Sequence, residues 1–173
     1  MLVARTTETE VLKRIRSRVI SSHPRFSENN VQIEDAPLPV MRPDMPFYCT
    51  ICCEMSHFED NSQGPCDVIE RGRFYVTPII SNPYGPTGQL TGLLIGDTDD
   101  ALIRVLKPIL ITNLLHETTS SGKGPWMPLD ENGDRLFLNN PKILSCLGPK
   151  QYEQWPATYM PLIFEFSWVW KFD

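Results

Sequence analysis

Residues 162–172 alternate strictly between two sets of side chains. Leu162, Phe164, Phe166, Trp168, Trp170 and Phe172 fall on one side, and Ile163, Glu165, Ser167, Val169 and Lys171 on the other. A strand turns successive side chains to opposite faces, so this segment reads as a strand with one heavily apolar face and one mixed face. An apolar sheet face has to be buried against another layer, and that requirement governs the rest of the reading.

Two segments have the period of helices. Over residues 7–22, Val11, Leu12, Ile15, Val19 and Ile20 form one apolar stripe, with Lys13, Arg14, Arg16 and Arg18 filling much of the remainder. Thr6 or Thr7 can cap its start, Glu8 and Glu10 suit its dipole, and His23-Pro24 ends it. Asp97-Thr98-Asp99-Asp100 caps a second helix over 97–116, with Leu102, Val105, Leu106, Ile109 and Leu110 leading to Leu114. Pro108 either kinks this helix or sits in the first turn of a new one.

Strands are expected at 30–34, at 47–53 and from Cys66 to Ile80 with a break near Gly72. A further short strand is expected over 134–139, after an Asn132-Gly133 turn. The acidic stretch 54–65 reads as a turn and Thr118–Pro125 as a flexible linker. Sixteen prolines point to long loops and edge strands. Pro37, Pro39, Pro43 and Pro46 make 36–46 an extended arm, and the prolines and glycines of 81–96 make a second loop. The expected fold class is α+β: a mainly antiparallel sheet flanked by two principal helices, with long Pro-rich loops. A length of 173 residues fits one domain over residues 1–173.

Net charge is −5, which gives no general affinity for nucleic acid or acidic membranes. The charge is uneven. Residues 1–25 hold six basic and two acidic residues, a balance of +4, which leaves −9 for the rest. No signal peptide is legible at the start and no apolar run is long enough to span a membrane. Five cysteines, three of them within residues 49–53, suit a reducing compartment better than a disulfide framework.

The cysteines raise the one metal-site question. Cys49, Cys52, His57 and Cys66 could supply four zinc ligands. On a strand, however, Cys49 and Cys52 point to opposite faces, and the Thr50-Ile51 spacer favours extension over a knuckle. Buried reduced thiols are the favoured reading, and no cofactor is expected. Asp130-Glu131-Asn132-Gly133-Asp134 has its glycine too early for a calcium loop and reads as a hairpin turn. No nucleophile elbow or phosphate loop occurs, and His23, His57 and His116 are scattered, so an enzyme is not expected. The basic helix face has two readings: an interface with an acidic partner or nucleic-acid backbone, built from Lys13, Arg14, Arg16 and Arg18, or a solvated surface.

The order of parts carries a resemblance. A basic helix leads into sheet, and Asp67-Val-Ile-Glu-Arg-Gly-Arg-Phe-Tyr-Val-Thr-Pro78 forms strand around a central glycine. There follow an Asp-capped helix at 97–116, a Gly-Pro-Trp126-x-Pro128 stretch, a turn and a final aromatic strand. This layout resembles the tail-terminator and neck (head-tail joining) proteins of tailed bacteriophages. The resemblance implies a virion structural protein, assembled in the host cytoplasm, that forms a homo-oligomeric, hexameric ring. Its partners would be the tail tube protein and the head-tail connector, with DNA passing through the ring without sequence-specific binding. Two alternatives stand beside it: another head- or tail-completion protein, and a small cytosolic metal-binding domain using Cys49, Cys52, His57 and Cys66.

Overall fold

The computed structural model describes residues 8–37, 42, 44–59, 68–81, 102–147, 150–151 and 157–170. Among these residues, two helices, α1 (Glu8–Ser22) and α2 (Leu102–Leu115), accompany nine strands. The strands are β1 (Val31–Ile33), β2 (Phe47–Glu59), β3 (Ile69–Ser81), β4 (His116–Thr119), β5 (Gly122–Pro125), β6 (Lys142–Cys146), β7 (Lys150–Gln151), β8 (Ala157–Tyr159) and β9 (Leu162–Val169). The expected α+β class and mostly antiparallel sheet are what is found. The caps at Thr6, Thr7 and Asp97, the loop 81–96 beyond Ser81, and residues 38–41 and 43 of the proline arm lie outside the described residues.

β3 is the spine of a seven-stranded sheet. Along one side it pairs with β2 over its whole length, from Glu59↔Ile69 to Phe47↔Ile80. Along the other, its first half pairs with β9 and its end pairs with β8. β6 then adds to β9, and β7 to β8. β1 is the exception, pairing parallel to β2. A parallel neighbour obliges the chain to return to the end from which it started, so a long connection between Ile33 and Phe47 is a geometric necessity.

Both helices cover one face of this sheet. From α1 come Val11, Leu12, Ile15 and Val19, and from α2 come Leu102, Leu106, Leu110 and Leu114, all buried. The α2 residues recur every four positions, so they form one line down the helix. Beneath them lie Phe47, Cys49 and Ile51 of β2, Phe74 and Val76 of β3, and Leu162, Phe164, Phe166 and Trp168 of β9. The apolar face read in the last strand is therefore the core face. Pro108 lies inside α2, on an exposed position, and the helix runs through it. Solvent can serve the carbonyl that proline leaves unpaired.

Four local expectations are corrected. β2 does not turn after Cys53: it continues to Glu59 through a bulge between Cys53 and Met55. The extra residue switches the facing, so Phe58 now joins the helix-side face and packs edge-on to Trp170 at 5.8 Å. β3 is not broken at Gly72, which pairs with both Ser56 and Phe166. Here glycine leaves room for rings: a Cβ would come within 2.5 Å of Phe74 Cε2 and 3.0 Å of Trp168 Cη2. Thr118–Pro125 is not a linker but part of the β4–β5 hairpin, and Gly122 at φ 117° supplies the left-handed turn residue there. Residues 134–139 form no regular strand, only the isolated bridges Leu129↔Arg135 and Phe137↔Trp168 around a turn with Gly133 at φ 83°. β6, β7 and β8 have no counterpart among the expected strands.

Candidate functional site

The four basic residues of α1 have different fates. Arg16 Nε donates to Val31 O at 2.8 Å, and its Nη2 donates to Glu28 O at 2.7 Å. Its Nη1 also pairs with the Glu28 carboxylate at 2.5 Å. This side chain fixes the entry into β1. Arg18 Nε donates to Asn113 O at 2.8 Å and its Nη2 to His116 O at 2.9 Å. The final carbonyls of a helix lack intrahelical donors and carry its negative dipole end, so Arg18 acts as the cap of α2. Its guanidinium also lies over Trp126, 5.6 Å from the ring centroid.

Lys13 makes an exposed pair with Glu10 at 3.2 Å. Arg14 has no hydrogen bond or ion pair among the described residues. It lines a groove of about 210 Å³ with Ser17, Arg18, Ser21, Trp126 and Pro128. Trp126 forms part of the lining and is itself buried against Phe137 and Phe166. α1 thus has two arginines used within the domain and two cations facing outward. Spacing along the helix could not separate these classes, because the carbonyls that take up Arg16 and Arg18 come from distant chain segments.

The cysteines divide as their alternation implies. Cys49 lies in the core beneath the helices, and Cys52 faces the other side of the sheet. Burial pushes the Cys49 thiol far up, against a smaller opposing effect of its hydrogen bond with the Thr77 backbone. Burial also pushes Cys52 up to about 12, and Glu54 and Glu34 add to the rise. Cys53 is likewise pushed up to about 12 by burial and by Glu8. Thiols held neutral this firmly are poor nucleophiles, since attack requires thiolate. His57 is exposed at the far end of β2, and Cys66 lies outside the described residues. Among the described residues no three His, Cys, Asp or Glu side chains come together as a metal site.

The sheet face away from the helices carries a feature the sequence did not reveal. Arg71 pairs with Glu59 and approaches Glu165 at 3.7 Å. Arg73 approaches Glu54 at 3.6 Å, and Lys142 approaches Glu165 at 4.0 Å. These charges come from β2, β3, β6 and β9, so only the strand register assembles them. The three anions and three cations balance, making a polar but self-neutralised surface.

The chain matches no protein-family model and no curated protein sequence. Its chemistry must therefore be read from these surfaces. They offer an outward basic groove, a neutralised charge ladder and buried thiols. No helix of the described residues is long and apolar enough to cross a membrane.

Proposed function

We propose that the chain is a structural virion component of a tailed phage, a tail terminator forming a ring between tail tube and head connector. The observation that carries this reading is the arrangement of parts. A basic helix and an apolar helix cover one face of a mostly antiparallel sheet whose last long strand supplies the aromatic core. This is the layout the resemblance implies.

The chemistry of the side chains supports a role through surfaces. The described thiols of the 49–53 cluster are held neutral in packed positions, which suits cohesion of the fold. Lys13 and Arg14 remain outward on α1 for contact with acidic neighbours, while Arg16 and Arg18 hold the helix in place. In the proposed ring, head-to-tail contacts close by rotation, and an acidic bulk limits sticking of DNA in the channel.

The test is the solution mass by light scattering, alone and with purified tail tubes, with metal content read on the same sample. A metal-free closed oligomer near six copies, alone or on tubes, is the expected result. A monomer that ignores tubes and holds one tight zinc overturns the reading in favour of a metal-binding domain.

A further inference from the structure

We infer that the outer edge of β6 in one copy of this chain pairs with the outer edge of β2 in a second copy, so that the sheet continues from subunit to subunit. The inference rests on the ring reading and gives its head-to-tail contact a surface. Both edges are open among the described residues. β1 lies beside β2 only along Cys49 to Ile51, and no described strand flanks Cys52 to Glu59 on that side. At the opposite margin of the same sheet, β6 pairs with β9 alone. An edge of this kind presents backbone N–H and C=O groups without ladder partners, which is a template for another strand.

The side chains at the two edges face solvent. Glu54, Met55, His57 and Phe58 of β2 are exposed, as are Lys142, Leu144 and Ser145 of β6. Met55 is 50%, Phe58 60% and Leu144 44% exposed, so apolar surface lies at both margins. Beyond its bulge, β2 keeps an unbroken register with β3 from Met55 to Glu59. That stretch holds neither proline nor lysine, two residues that commonly guard an edge.

Two features match these edges to each other. The first is direction. β2 is antiparallel to β3, β3 to β9 and β9 to β6, so β6 runs antiparallel to β2. A second copy set alongside in the same orientation brings its β6 to β2 as an antiparallel neighbour, and the order of the sheet continues. The second feature is charge. On the face away from the helices, ion pairs join Glu59 and Glu54 of β2 to Arg71 and Arg73 of β3, and Glu165 of β9 to Arg71 and to Lys142 of β6. The sign thus alternates strand by strand: acidic, basic, acidic, basic. The ladder is neutral as a whole, yet its two margins are opposite. Lys142 is the one charged residue of β6, with its side chain 63% exposed, and β2 carries only acidic charges. Joining β6 to β2 extends the alternation, whereas β2 on β2 sets acid against acid and β6 on β6 sets cation against cation. The contact is therefore heterologous, the class that closes rings by rotation.

The experiment uses the full chain in sedimentation and light scattering across concentration, alone and with purified tail tubes. The wild type is expected to associate. Met55→Lys puts a cation on the acidic margin and Lys142→Glu an anion on the basic one, and each is expected to raise Kd by about tenfold or more. Mixing the two variants is expected to restore association, because the β6 of the first and the β2 of the second are both unaltered. Circular dichroism of each variant separates loss of contact from loss of fold. A wild type that stays monomeric in both settings overturns the inference. So does a Lys142→Glu variant that assembles like wild type, the result expected of two-fold pairing through β2, or a mixture that fails to recover. A closed oligomer indifferent to both substitutions would overturn the edge contact while leaving the ring reading intact. Edge-dependent association that ignores tubes would uphold the contact and overturn the terminator reading.

Discussion

Arg18 sits on the ring of Trp126, 5.6 Å from its centroid, while two of its nitrogens hold the Asn113 carbonyl in the last turn of α2 and the His116 carbonyl just beyond it. One side chain thus joins the first helix, the end of the second and the aromatic cluster beneath. A lysine cannot reproduce the planar fork or the stack. Arg18→Lys is expected to destabilise the fold by about 1–2 kcal/mol and Arg18→Ala by roughly 2–3 kcal/mol, the range for hydrogen bonds made by a charged group. Arg14→Ala is expected to stay within about 0.5 kcal/mol of wild type, as a surface change does. Urea unfolding of the three variants checks the contrast; equal losses would show that Arg18 is no cap.

Gly72 is expected to resist even the smallest side chain. The Phe74 and Trp168 rings occupy the space over its Cα, and both residues are fully buried. Gly72→Ala is expected to cost about 1–3 kcal/mol through overpacking, despite the better strand propensity of alanine. Thermal unfolding and near-ultraviolet dichroism provide the readout, the latter because the displaced rings report directly. An alanine variant as stable as wild type would mean that the rings can move aside freely.

Glu70 is an acidic residue only 5% exposed, and Trp170 Nε1 donates to its Oε2 at 2.8 Å. Removing that donor leaves a buried carboxylate short of a bond. Trp170→Phe is expected to cost about 1.5–3 kcal/mol, and the double variant Trp170→Phe, Glu70→Gln less than the sum of the singles. A double-mutant cycle by denaturant unfolding measures the coupling, and simple additivity would deny it.

The raised thiols make stability depend on alkaline pH. In the unfolded chain they ionise near their ordinary value of 9.0, whereas Cys52 and Cys53 in the fold remain protonated until about 12. Above about pH 9 the unfolded state therefore binds fewer protons than the native state, and stability falls as pH rises. Stability contributed below pH 9 is complete and is lost progressively between about 9 and 12. Cys53→Ala is expected to flatten this slope, which urea midpoints at pH 8, 9 and 10 would reveal. At pH 8, iodoacetamide is expected to label Cys49 and Cys52 far more slowly in native protein than in urea; equal rates would place these thiols in contact with solvent.

Periodicity alone located α1, the core line of α2 and the apolar face of β9, because each buries a repeating stripe against one neighbouring layer. The alternation at Cys49 and Cys52 also determined their opposite facing. Three things depended on tertiary structure. The bulge after Cys53 turned an expected acidic turn into a strand carrying Phe58 to Trp170. Gly72 lost its meaning as a breaker because rings from two strands fill its empty position. The uniform basic face of α1 split into internal braces and outward cations because Arg16 and Arg18 found carbonyls 15 and 95 residues away in sequence. Local pattern reports which side of an element is apolar; which polar groups meet depends on chain segments that only the folded sheet brings together.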